Sequence, residues 1–196
     1  NPAVLLRLVD VLLHNCRRGA AALRLDAIGF LWKDEATPSI HLPQPHQLIQ
    51  LMRSCIDAAA PGTVLISETN VPHEENISYF GAPGEREVHA VYQFALPPLA
   101  AHAALTGDTS VLESWAATID DLVTTERSFL NFLACHDGIG VRPTEGILSD
   151  DQRATLVAAT RLVGGSIGER SLPDGSTGVY ELNTTWFDLM CAQLDD

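Results

Sequence analysis

Ala22-Leu23-Arg24-Leu25-Asp26-Ala27 is a short apolar run closed by an acid, and the same design returns twice along the chain. Val64-Leu65-Ile66-Ser67-Glu68-Thr69 repeats it, as does Phe132-Leu133-Ala134-Cys135-His136-Asp137-Gly138. Each run reads as a buried strand, with room between consecutive members for one or two strand–helix units. A carboxylate at the C-terminal end of successive parallel strands is where a (β/α) barrel places its chemistry. Two such carboxylates facing a sugar are the equipment of glycoside cleavage.

The rest of the chain agrees with an alternating α/β design. Val4, Leu5, Leu8, Val9, Leu12 and Leu13 stand at helical spacing over 3–16, and Gly19 follows the basic pair Arg17-Arg18 as a stop. Strands are expected at about 21–28, 63–67, 90–96 and 129–135, with helices at 46–59, 99–105, 111–122 and 150–163. The Pro-rich stretch 34–45 reads as loop, 70–88 as irregular, and 164–178, with its Pro173-Asp174-Gly175 turn, as loop up to a short run at 179–182. Four strand–helix alternations predict a partial parallel (β/α)8 barrel. A half-barrel leaves open sheet edges, so the chain, which begins at Asn1, is expected to be part of a longer enzyme and inactive alone.

Composition narrows the partners. A formal net charge of −13, with 12 scattered Lys and Arg, argues against nucleic acid as a ligand. No apolar run approaches the ~20 residues of a membrane span. Cys16, Cys55, Cys135 and Cys191 form no C-x-x-C pair and sit in apolar surroundings. They read as reduced core thiols of a cytoplasmic protein. No His spacing suggests a metal site, and His41 and His46, in the Pro-rich loop, are assigned no chemistry.

Four segments together resemble the α-amylase family of retaining glycosidases, in its sucrose phosphorylase branch. They are Arg24-Leu25-Asp26-Ala27-Ile28-Gly29-Phe30-Leu31-Trp32-Lys33, Ser67-Glu68-Thr69-Asn70-Val71-Pro72-His73-Glu74-Glu75-Asn76, Phe94-Ala95-Leu96-Pro97-Pro98-Leu99 and His136-Asp137-Gly138-Ile139-Gly140-Val141-Arg142-Pro143. The resemblance implies that 1–137 carries a helix and strands four to seven of the barrel, and that 138–183 is the long loop region after strand seven. It also implies a phosphorylase that passes a glucosyl group from sucrose or a related glucoside to inorganic phosphate, with no metal or organic cofactor. Glu181, the Arg142-Pro143 pair and the Ser67–His73 segment look more like relatives acting on sucrose 6′-phosphate, glucosylglycerate or glucosylglycerol. An amylosucrase-like transferase, an α-glucosidase or an inactive fragment are the alternatives.

By the same resemblance Asp26 is the nucleophile, Glu68 the general acid and base, and Asp137 the stabiliser of the oxocarbenium-like transition state. Arg24 is two residues from Asp26 on the same strand face, where a guanidinium favours an ionised carboxylate. His136 is similar to the histidine that holds the glucosyl ring, and Tyr180 and Glu181 to the acceptor segment of the seventh loop. Arg142 is the expected anion contact. On pattern alone Asp26 is equally a turn or cap residue after a strand, a lone Glu68 is usually a cap of the next loop, and the lesser alternative for Arg142 is a surface cation without a contact. Retention of configuration requires Asp26 and Glu68 to lie about 5–5.5 Å apart.

Overall fold

The computed structural model describes residues 1–172 and 175–192, so Pro173 and Asp174 of the expected turn lie outside the described residues. The chain forms two compact units: Asn1–Thr69, Glu74–Tyr92 and Val123–Leu130 in the first, Asn70–His73, Gln93–Leu122 and Asn131–Asp196 in the second.

The first unit opens with helix α1 (Pro2–Arg17), capped by the Asn1 side chain, which accepts from the Ala3 N–H at 3.0 Å. Strand β1 (Ala22–Leu25), helix α2 (Pro43–Ala59), strand β2 (Val64–Ser67), a short helix α3 (His73–Ile77), and strands β3 (Ala90–Tyr92) and β4 (Ser128–Leu130) follow. The four strands make one parallel sheet in the order β1-β2-β3-β4. This is the partial (β/α)8 barrel that the alternation predicts.

Several boundaries moved, three of them for a plain local reason. Helix α2 begins at Pro43, three residues before the expected start, because proline is tolerated in a first turn whose N–H groups are unpaired anyway. His46 is therefore helical; its Nδ1 lies 2.9 Å from the Glu87 carboxylate. Strand β3 stops at Tyr92, whose carbonyl accepts from the Asn76 side chain at 2.7 Å, and a helix opens at Leu96 with prolines in its first turn. With β3 only three residues long, β4 loses its ladder partner after Leu130, so 131–135 is not strand. Ile49, Ile56, Leu65, Tyr79 and Val91, all essentially inaccessible, form the core between sheet and helices.

The second unit contains α4 (Leu96–Thr106), α5 (Ser110–Ile119), β5 (Ile139–Gly140), α6 (Asp150–Leu162), β6 (Ser166–Ser171), β7 (Thr177–Asn183) and α7 (Trp186–Met190). Helix α6 starts at a capping box: the Gln152 N–H donates to Ser149 Oγ, and the Ser149 N–H donates to Gln152 Oε1. Strands β5, β7 and β6 form an antiparallel sheet in that order, which replaces the loop expected over 164–178. Ser166-Ile167-Gly168-Glu169-Arg170-Ser171 offers only one large apolar side chain, and a bulge at Gly168/Glu169 breaks its alternation. Pairing with β7, and Ile167 packed on the Leu99–Leu156–Leu182 core, make it a strand.

The cysteines need a second correction. All four are free thiols: Cys16 is half-buried against the core of the first unit and Cys55 is half-buried, but Cys135 and Cys191 are exposed and are not core thiols. Cys135 lies beyond the end of β4, where no ladder carries it inward. Among the described residues no helix is long and apolar enough to cross a membrane.

Candidate active site

In the first unit, Asp26 and Glu68 each follow the last residue of a strand, and those last residues are register partners: Leu25 of β1 opposite Ser67 of β2. The ladder continues one step further through the Glu68 N–H, which donates to the Leu25 carbonyl at 3.0 Å. Two carboxyl groups are thus delivered side by side to one end of the sheet. Arg24 joins them, with one guanidinium nitrogen 2.8 Å from Asp26 Oδ1 and the other 3.7 Å from Glu68 Oε2. The guanidinium also lies 5.4 Å from the centre of the Tyr92 ring, a cation–π contact that brings β3 into the site.

The two acids have different surroundings. The Glu68 side chain is 12% exposed and that of Asp26 73%. Burial pushes the Glu68 carboxyl above its ordinary value; the Ala27 N–H and Arg24 pull it down, and the charge and hydrogen bond of Asp26 push it up again. The Ala27 N–H donates to Glu68 Oε2 at 2.9 Å. It reaches that oxygen because Ala27 adopts a left-handed conformation (φ 47°), uncommon for a residue with a side chain. One acid is kept nearer to protonation and the other is open and ion-paired. That division suits an acid/base beside a nucleophile.

His136 and Asp137 belong to the second unit, where they line a cavity of about 560 Å³ together with Phe94, Phe132, Asn183 and Trp186. Both are exposed, with His136 Nε2 3.5 Å from Asp137 Oδ2. The glycines after them explain why this turn has its sequence. A Cβ on Gly138 would stand 2.7 Å from Glu181 Cγ and from the Leu182 carbonyl, and one on Gly140 would stand 2.5 Å from Asn70 Oδ1. Glu181 follows on β7: burial and the negative charge of Asp137 raise its carboxyl above the ordinary value, and the Gly138 N–H opposes them. Tyr180 precedes it on β7, its carbonyl accepting from the Val141 N–H at 2.9 Å.

Arg142 opens a 3-10 turn after β5 and does not line the cavity of His136 and Asp137. It lines a second one of about 600 Å³, with Arg153, Arg161 and Arg170. The structure therefore gathers Arg24, Asp26 and Glu68 in one unit, and His136, Asp137, Tyr180 and Glu181 along β7 and the turn before β5 in the other. Sequence reading missed the Ala27 N–H, which no residue pattern announces, and the Tyr92 ring. It also missed the arginine cavity, although Arg153 and Arg161 are eight positions apart on α6 and so share a helix face. Cys135, His136 and Asp137, all exposed, offer a thiol, an imidazole and a carboxylate within 4.8 Å of one another.

No protein-family model matches the chain. Known proteins do. The glucosylglycerate phosphorylase of Escherichia coli (strain K12) is 47% identical over 190 residues, which is 97% of this chain and 34% of that protein. The glucosylglycerate phosphorylase of Allomeiothermus silvanus is 48% identical over 190 residues, again 97% of this chain and 34% of the relative. The chain spans about a third of the length of these relatives. Among solved structures, the sucrose 6F-phosphate phosphorylase of Thermoanaerobacter thermosaccharolyticum superposes with a TM-score of 0.76 at 22% identity, over 94% of this chain and 35% of that one, a likeness of fold.

Proposed function

We propose, from the premise that the chain belongs to the sucrose phosphorylase-like branch of the α-amylase superfamily of retaining glycosidases, that it carries catalytic carboxyl groups of a retaining α-glucoside phosphorylase acting on glucosylglycerate. In the first half-reaction an Asp26 oxygen attacks the anomeric carbon as the bond to the glycerate oxygen breaks. Glu68 gives its proton to that oxygen, leaving a β-glucosyl ester on Asp26. In the second, a phosphate oxygen attacks the same carbon and displaces Asp26, while Glu68 takes back a proton from phosphate. Inversion twice gives α-glucose 1-phosphate. Asp137 stabilises the positive charge that develops at the ring, His136 and Arg24 hold sugar hydroxyls, and Tyr180 and Glu181 face the acceptor. Arg142 is proposed to hold an anion in the cavity that it lines.

The observation that carries this reading is the Arg24-bridged pair at the ends of β1 and β2, with the buried member raised toward protonation. The choice of glucoside rests on the 47–48% identity to glucosylglycerate phosphorylases. The test is to incubate the intact protein with glucosylglycerate, with and without phosphate. Formation of α-glucose 1-phosphate only with phosphate is the expected result. Glucose release that ignores phosphate would make it a hydrolase, and phosphorolysis of another glucoside alone would overturn the substrate.

A further inference from the structure

We infer that the cavity between α6 and the β6–β7 hairpin is a binding site for a small phosphate-type oxyanion carrying two or more negative charges, separate from the His136–Asp137 cavity. Its volume of about 600 Å³ suits a small metabolite. Four of the chain's 12 basic residues line it, Arg142, Arg153, Arg161 and Arg170, against two carboxylates, Glu145 and Asp150. In a chain of net charge −13, that excess of positive charge in one concavity is a local reversal of the overall field.

The arginines are placed for use. Arg153 and Arg161 project from one face of α6, and the wall between them is made of Ala154, Val157 and Ala158, short enough to leave the cavity open. Arg153 is anchored through its donation to the Leu148 carbonyl at 2.6 Å. Arg170, on β6, is fixed by a 2.9 Å bond from Nη2 to Glu145 Oε1, while its Nε is buried with no hydrogen-bond partner. A buried donor left unpaired costs free energy that a bound oxygen recovers. Arg161 is exposed and makes no ion pair among the described residues. Guanidinium forks match phosphate oxygens in pairs, which a scattered set of lysines would not do.

This site shares no lining residue with the His136–Asp137 cavity; it touches the function proposed above only through Arg142, which the test leaves unchanged. The experiment is calorimetric titration of the intact protein with pyrophosphate at low ionic strength. Expected is saturable one-to-one binding, retained within twofold in Asp137→Asn and in the surface variant Arg7→Gln. Arg161→Gln and Arg170→Gln should each weaken it at least tenfold, as loss of one charge-assisted contact does. Arg161 supports no other contact, so if Arg170→Gln unfolds, Arg161→Gln decides alone. No saturable binding, unchanged binding in Arg161→Gln, equal weakening by Arg7→Gln, or loss in Asp137→Asn would each overturn the site.

Discussion

Asp26 and Asp137 are both acids just past an apolar run, yet different physics holds them. Asp26 is delivered by strand register: β1 and β2 pair to their last residues, and the next position on each strand is a carboxyl group. Asp137 stands seven residues beyond the end of β4, on a turn whose path is set by Gly138 and Gly140 pressing against Glu181, Leu182 and Asn70. A sheet places a side chain through many weak equivalent bonds. A glycine turn places it through a few close contacts that tolerate no extra atom.

The largest expected effect tests the sheet-held pair. Asp26→Asn in the intact protein should abolish glucosyl-enzyme formation, with turnover down by more than the roughly 10²–10⁴-fold typical of losing an acid/base, because a neutral amide is a poor nucleophile. Glu68→Gln should fall within that 10²–10⁴ range on glucosylglycerate. With glucosyl fluoride, whose leaving group needs no proton, the first half-reaction should recover. A Glu68→Gln enzyme equally impaired on both donors would remove Glu68 from the acid's role.

The glycine turn is probed by stability. Gly140→Ala puts a Cβ 2.5 Å from Asn70 Oδ1, and Gly138→Ala puts one 2.7 Å from a backbone carbonyl. Each should lower the thermal midpoint by an amount corresponding to about 1–3 kcal/mol of overpacking. Asn70→Ala should restore part of the Gly140→Ala loss and none of the Gly138→Ala loss, since the latter clash is with backbone. In the sheet-held region the comparable change, Gly29→Ala, meets the Tyr79 hydroxyl at 2.9 Å. That oxygen, hydrogen-bonded to His41 Nδ1 at 2.7 Å, belongs to a side chain rather than to backbone, so the cost should be smaller than that of Gly138→Ala.

The same contrast explains what the sequence disclosed. Regular alternation made β1, β2, α1 and α6 readable, and with them the positions of Asp26 and Glu68. The partial barrel follows from those elements. What stayed hidden depends on contacts distant in the chain. Ser166–Ser171 becomes a strand only because β7 pairs with it, and the end of β4 is set by the length of β3. The left-handed Ala27 carries no glycine to announce it. Arg170 reaches the arginines of α6 only after the β6–β7 hairpin has formed.

The smallest effect separates the two raised carboxyl groups by their neighbours. Glu68 is raised by burial and held down by Arg24, whereas Glu181 is raised by burial and by Asp137. Removing the neighbour should therefore move the two in opposite directions: Arg24→Met should raise Glu68 further, and Asp137→Asn should lower Glu181. Both follow from the sign of the charge removed. Carboxyl carbon NMR titration of the two glutamates reads this directly. Linkage gives a second reading. A carboxyl group whose folded-state pKa is raised contributes stability below its unfolded value, and that contribution is lost as pH rises through the folded value. Between those limits, the urea midpoint of the Arg24→Met protein should fall more with rising pH than that of the unsubstituted protein, while Asp137→Asn should flatten the Glu181 contribution. If both variants shifted their glutamates the same way, general loosening of the fold would be the cause, and the distinction between a cation-bridged pair and an acid-crowded turn would fail.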